Sequence, residues 1–231
     1  MKTIGLLGGL SWHSSLEYYR IINQAVQDRL GGAHSARCLL YSVDYAEVDA
    51  LERADRWDEV AAIVLAAAQN LERGGADFLV ICTNTTHKLA GSIQAGIGIP
   101  ILHIADATAR AIRQRGIERV GLLGTRFTME EDFVRGRLIR DYGLDVLVPP
   151  EPERALVNRV IYDELCAGVF RDEARRCFLD IMRGLVAAGA EGIILGCTEI
   201  GLLVPPDDCP APAFDTARLH ALAAVDFALA E

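Results

Sequence analysis

GGADFLVICTNT at residues 74–85 and AAGAEGIILGCTE at residues 187–199 are two versions of one segment. Setting Gly75-Ala76-Asp77 on Gly189-Ala190-Glu191 gives an offset of 114 residues, and GLLG at 5–8 recurs at 121–124 with an offset of 116. Two segments that recur at nearly one offset predict two α/β halves of similar order, each about 100 residues, an ordinary size for a domain. The same alignment sets Thr83 opposite Cys197 and Cys82 opposite Gly196. Side chains alternate between faces along a strand, so a one-residue step decides which groups share a direction.

Outside these segments, apolar runs alternate with helical patterns. Strands are expected at 3–8, 38–43, 78–82, 100–104, 119–124, 144–149 and 192–196. Helices are expected at about 14–30, through 57–73, near His87, at 105–115, at 129–140, across 153–188 and from Asp215 onward. Continuous apolar strands separated by helices predict parallel sheets covered on both faces. The fold class is therefore α/β, with two pseudo-symmetric parallel-sheet domains and the active site in the cleft between them. The last helix is expected to fold back onto the first half, giving domains at 1–98 plus 210–231 and at 99–209. Such sheets bind ligands outside the carboxyl ends of their strands, where TNT (83–85) and CTE (197–199) both fall.

Composition narrows the partners. The chain has 231 residues and a net charge of −9, with no Lys/Arg run longer than two. A chain with no basic face offers little to nucleic acid or an anionic membrane. No apolar stretch reaches the length of about 18 residues that a membrane span needs. The six cysteines have no CxxC spacing, which predicts reduced thiols in the cytoplasm and no metal site.

A thiol and a hydroxyl on opposite sides of a small carboxylated molecule can take a proton from one face of a carbon and return one to the other. That inverts a stereocentre with no cofactor. A thiolate suits the task because its ordinary pKa, near 8.5, can be brought toward neutrality. A helix start after each strand is expected to hold a carboxylate and to lower a thiol pKa. Threonine is a far weaker acid, able to donate to a carbanion but poor as a base.

GGLSW (8–12), HSA (34–36), TNT and HK within 83–88, LHIADAT (102–108), LLGTRFTME (122–130) and GCTEIGLL (196–203) together resemble the aspartate/glutamate racemase family. That family works without pyridoxal phosphate, and the likeness is greatest to its branch of broad-specificity amino-acid racemases. The resemblance implies an amino acid as substrate, aspartate, glutamate or a broader range, and commonly a homodimer. Its usual Cys-Asn-Thr is Thr83-Asn84-Thr85 here, so the catalytic pair becomes Thr83 and Cys197, with one enantiomer favoured. A register slip would instead make Cys82 the base. Asn84, Thr85 and Thr198 match positions that hold the α-carboxylate, although each is also an ordinary helix cap. Leu10 and Ser11 match a substrate-contacting turn. Glu52 and Arg53 match positions that meet the substrate side chain, and equally suit a solvated surface pair. Glu199 is placed to orient the site or to hold the ammonium group. Cys166 stands where many aspartate-handling relatives carry a lysine, which weakens the case for a second substrate carboxylate. A related decarboxylase or isomerase, or an amino-acid-binding protein with little turnover, are the alternatives.

Overall fold

The computed structural model describes residues 1–230, which form two compact units: Met1–His103 with residues 220–230, and Ile104–Leu219. In the first unit, β1 (Ile4–Gly8), β2 (Cys38–Ser42), β3 (Phe78–Ile81) and β4 (Ile101–Leu102) form a parallel sheet of order β2-β1-β3-β4. Its helices are α1 (Trp12–Leu30), α2 (Tyr45–Arg53), α3 (Trp57–Arg73) and α4 (Ala90–Ala95). In the second unit, β5 (Arg119–Gly124), β6 (Asp145–Leu147), β7 (Gly192–Gly196) and β8 (Ala213–Asp215) repeat that order as β6-β5-β7-β8, again all parallel. Around them lie α5 (Ile104–Gln114), α6 (Arg126–Glu130), α7 (Arg137–Tyr142), α8 (Glu151–Asp163), α9 (Asp172–Ala187) and α10 (Thr198–Leu203). The chain closes with α11 (Thr216–Leu229). The fold is α/β. No helix among the described residues is long and apolar enough to cross a membrane.

The internal repeat is physical down to single residues. β1, β3 and β7 are buried at every position, as expected of strands covered on both faces. α3 buries Val60, Val64, Ala67, Ala68 and Leu71, and α9 buries Ala174, Phe178, Ile181, Met182 and Leu185. Both are single apolar stripes at helical spacing, and both carry two acidic residues in the first turn, where the helix dipole favours them. Each helix is followed by a glycine with positive φ, 95° at Gly75 and 102° at Gly189. The acidic residue two places on then anchors the sheet. Asp77 accepts the Thr3 N–H at 2.6 Å, and Glu191 accepts those of Glu118 and Arg119, both at 3.0 Å. Within the sheets, Leu7 pairs with Ile81 and Leu123 with Leu195. Counting forward one step at a time, Cys82 and Gly196 share a position, and so do Thr83 and Cys197.

Several elements differ from the sequence expectation. α2 was not foreseen because only Val48 and Glu52 are buried on it, too few for a visible apolar period. Its start depends instead on Asp44, whose side chain accepts the Ala46 N–H at 3.1 Å. The helix expected at 129–140 is broken. Thr125 caps α6 by accepting from the Thr128 N–H at 3.3 Å, Glu131 is extended, and a π-helical turn over Asp132–Gly136 precedes α7. The strand expected at 100–104 shrinks to two residues, because α5 already begins at Ile104. β8 is only three residues long and follows a proline-rich stretch, so it leaves little pattern to read.

Candidate active site

In the first unit most of the candidate residues gather where β1 and β3 end. Cys82 continues β3: its N–H donates to the Leu7 carbonyl at 2.9 Å. The side chain is fully buried, and the thiol points back to the Val80 carbonyl at 3.8 Å. Burial drives its pKa far above the ordinary thiol range, because a thiolate in apolar surroundings loses its hydration. Cys82 is therefore a packed core residue of its unit. Thr83, one step on, is partly exposed. Asn84 and Thr85 are buried, and a 3-10 turn from Thr85 to Leu89 leads into α4.

The end of β1 turns sharply at Gly9, where φ is 82°. A Cβ there would run into the backbone of Val43, so the turn requires glycine on both steric and conformational grounds. Ser15 locks it, accepting the Gly9 N–H at 2.8 Å and donating to the Ser11 carbonyl at 3.2 Å. Leu10 and Ser11 are held buried by this turn, and the Ser11 hydroxyl finds no partner among the described residues. An unpaired buried hydroxyl is costly, which makes it a ready partner for a ligand oxygen or ammonium. Replacing Gly9 with alanine is expected to cost about 2 kcal/mol or more of stability, read from the urea midpoint.

The two residues near the end of α2 part company. Glu52 is buried, whereas Arg53 is exposed and pairs with Asp49 at 2.8 Å one helical turn back. The Arg53 pair is a solvated i,i+4 contact of small energetic weight.

In the second unit the candidate residues sit after β7. Gly196 comes so close to β5 that an added Cβ would lie 2.7 Å from the Leu123 carbonyl oxygen, which explains the glycine opposite Cys82. Cys197 is partly buried and caps the six-residue α10. Its sulfur lies 3.0 Å from Oε2 of Glu199 and donates its proton to that carboxylate. Glu199 is 3% exposed, and its Oε1 has no partner among the described residues. Thr198 is buried beside it.

The helix start was expected to lower the thiol pKa, and the structure reverses that expectation. Burial pushes the Cys197 thiol well above its ordinary value, and the Glu199 charge and Cys166 push in the same direction. The hydrogen bond to the Glu199 side chain adds to this, while the Glu199 backbone N–H opposes it more weakly. A carboxylate beside a poorly solvated sulfur disfavours a second negative charge, and the dipole of a six-residue helix is too small to offset it.

Cys166 lies in a 3-10 turn over Leu165–Ala167. Sequence reasoning missed the side chains that hold these loops, Ser14 and Ser15 on α1 and His220 on α11, because nothing local marks them. The second unit also has a cavity of about 170 Å³, lined by residues including Arg113, Glu118 and Tyr142. It lies before β5 and β6 begin, at the opposite strand ends from Cys197.

Comparison with known proteins yields a consistent set. The Asp/Glu/Hydantoin racemase family model matches residues 7–224. A crystal structure from Yersinia pestis, described as a candidate Asp/Glu racemase, is 50% identical over 100% of both chains, with a TM-score of 0.92. An aspartate racemase homologue from Pyrococcus horikoshii OT3 is 32% identical over 99% of each chain, with a TM-score of 0.83. The broad-specificity amino-acid racemase RacX of Bacillus subtilis is 23% identical over 75% of this chain and 74% of its own length.

Proposed function

Because this chain belongs to the Asp/Glu/hydantoin racemase family, we propose that it inverts the α-carbon of amino acids without a cofactor, using Cys197 and Thr83. The observation that carries this reading is the Cys197 thiol hydrogen-bonded to the buried Glu199 carboxylate at the end of β7. A thiol with a raised pKa is idle until its proton has somewhere to go. Glu199 supplies that acceptor. As the carboxylate takes the Sγ proton, the sulfur takes the α-proton from one face of the substrate. The electron pair left on carbon delocalises into the substrate carboxylate. The Thr83 hydroxyl then delivers a proton to the other face, which yields the inverted amino acid; solvent water reprotonates the Thr83 oxygen and the proton on Glu199 passes back to solvent.

Removing an α-proton also requires the growing negative charge on the substrate carboxylate to be held. Asn84, Thr85, Thr198 and Ser11 are the polar groups that suit this task. The first three are buried at the ends of β3 and β7, and the Ser11 hydroxyl has no partner among the described residues. Glu52, buried near the end of α2, suits contact with the substrate ammonium or side chain. Arg53 fits that role less well because it is exposed and engaged by Asp49. Aspartate, glutamate and small neutral amino acids form the substrate range to test, since Cys166 offers no cation for a second carboxylate.

The Glu199 assignment has a two-sided consequence. Glu199→Gln removes the charge that raises the Cys197 pKa, so alkylation of Cys197 by iodoacetamide shifts to lower pH. Turnover nevertheless falls, by roughly tenfold or more, because the proton acceptor is gone. Faster turnover, or an unmoved alkylation profile, would count against Glu199 as acceptor. The function itself is tested by incubating the protein with L- and D-aspartate, glutamate, homoserine and alanine and separating enantiomers by chiral chromatography. Appearance of the opposite enantiomer from at least one of them supports the reading, and inversion of none contradicts it for this panel.

A further inference from the structure

We infer that Ser14 and His87 are positioning residues for Thr83, and that they control inversion separately from α-proton removal. The inference rests on the racemase reading above and concerns only the first unit. Thr83 lies between two peptide groups, and a side chain grips the carbonyl of each. The Ser14 hydroxyl, on α1, donates to the Cys82 carbonyl at 2.6 Å. His87 Nδ1 stands 2.7 Å from the Thr83 carbonyl. A carbonyl only accepts, so Nδ1 carries the proton. With both flanking peptide planes held, the backbone of Thr83 has little freedom to rotate, and the Cα–Cβ bond from which its hydroxyl projects keeps a fixed direction.

The grip has a foundation. His87 is 2% exposed, and its ring lies 4.6 Å from that of His103 and 5.6 Å from that of His220. His220, fully buried on α11, uses Nε2 to donate to the Leu102 carbonyl at 2.7 Å. Its Nδ1 is thereby left to accept from the Tyr18 hydroxyl at 2.9 Å. Burial first, then His103 and His220, push the His87 pKa down against the backbone hydrogen bonds to Thr83 and Asn84, which favours the neutral ring with its one proton on Nδ1. Three imidazoles in an apolar interior are expensive unless their polar atoms are engaged, and an apolar side chain would fill the same space more cheaply. The cost is understandable if the product is the orientation of Thr83. A threonine hydroxyl is a weak acid, so its contribution depends on placement, and a misplacement of 1 Å costs about a hundredfold. Cys197 has no share in this clamp, being oriented by Glu199 in its own unit.

Two measurements test the clamp. The first needs no activity: long-range ¹H–¹⁵N correlation on histidine-labelled protein reads the His87 tautomer. A neutral Nδ1–H form is expected, and an Nε2–H form overturns the proposal. The second compares, in D₂O, deuterium uptake at the α-carbon with formation of the opposite enantiomer. Ser14→Ala and His87→Phe are expected to cut inversion about ten- to a hundredfold while changing deuterium uptake by no more than about threefold. Asparagine presents its amide where Nδ1 lies and glutamine where Nε2 lies, so His87→Asn should restore inversion and His87→Gln should not. If His87→Phe does not fold, Ser14→Ala and the Asn/Gln pair decide alone. Uptake and inversion falling together, or an unchanged ratio, overturns the clamp. Absence of uptake in the unmodified protein sinks the racemase reading instead, while the tautomer still reports on the clamp.

Discussion

Cys197→Ser is expected to slow α-proton removal by roughly a thousandfold, the range over which a positioned acid–base group acts. Serine keeps the shape and leaves Glu199 in place, but it replaces a thiol with a hydroxyl several pKa units more basic when ionised and almost never ionised near neutral pH. The companion variant Cys82→Ala should stay within about twofold of the unmodified rate, since a group that meets neither substrate nor transition state leaves kcat and KM alone. Cys82 is fully buried with its thiol turned back toward Val80. Rates of α-proton loss for the two variants, with circular dichroism as a check on folding, settle which cysteine acts. A large loss in Cys82→Ala with an intact fold would restore the alternative register.

Thr83→Cys carries the second large effect, and its sign is a gain. On the proposed reading, Cys197 becomes the base and the Thr83 hydroxyl serves as the acid. Abstraction starting from the Thr83 side is therefore the slow direction. A thiol at Thr83, a partly exposed position, ionises far more readily than a hydroxyl. That slow direction should accelerate by about a hundredfold, bringing the two enantiomers toward equal initial rates. The measurement is the initial rate of α-proton exchange with D₂O from each enantiomer separately, because inversion of two enantiomers of equal energy has the same kcat/KM in both directions. If Thr83→Cys leaves the ratio of the two rates unchanged, Thr83 is not the second group.

How much of this was legible in sequence depends on the range of each interaction. β3 and β7 could be read because both are short, wholly apolar and preceded by the same glycine and acidic residue. The equivalence of Thr83 and Cys197 in the internal repeat could be read because the same Gly-Ala-acid step sets the register of both segments. The raised pKa of Cys197 could not be. Sequence shows a helix start and a glutamate two residues on, but only the side-chain geometry reveals that the carboxylate folds back onto the sulfur. Arg53 matched a family position, yet the structure spends it on Asp49. The Tyr18–His220 contact spans 202 residues, so no local pattern could announce the support beneath Thr83. Likewise α2 and β8 depend on a cap and on neighbouring strands more than on their own periodicity.

The most direct test of the asymmetric pair is proton NMR in D₂O, with each enantiomer of the accepted amino acid incubated separately with the unmodified protein. The expected result is rapid loss of the α-proton signal from one enantiomer, the one presented to Cys197, and slow or no loss from the other. Equal, rapid loss from both enantiomers would contradict it, because a threonine hydroxyl in the proposed second role is no strong base.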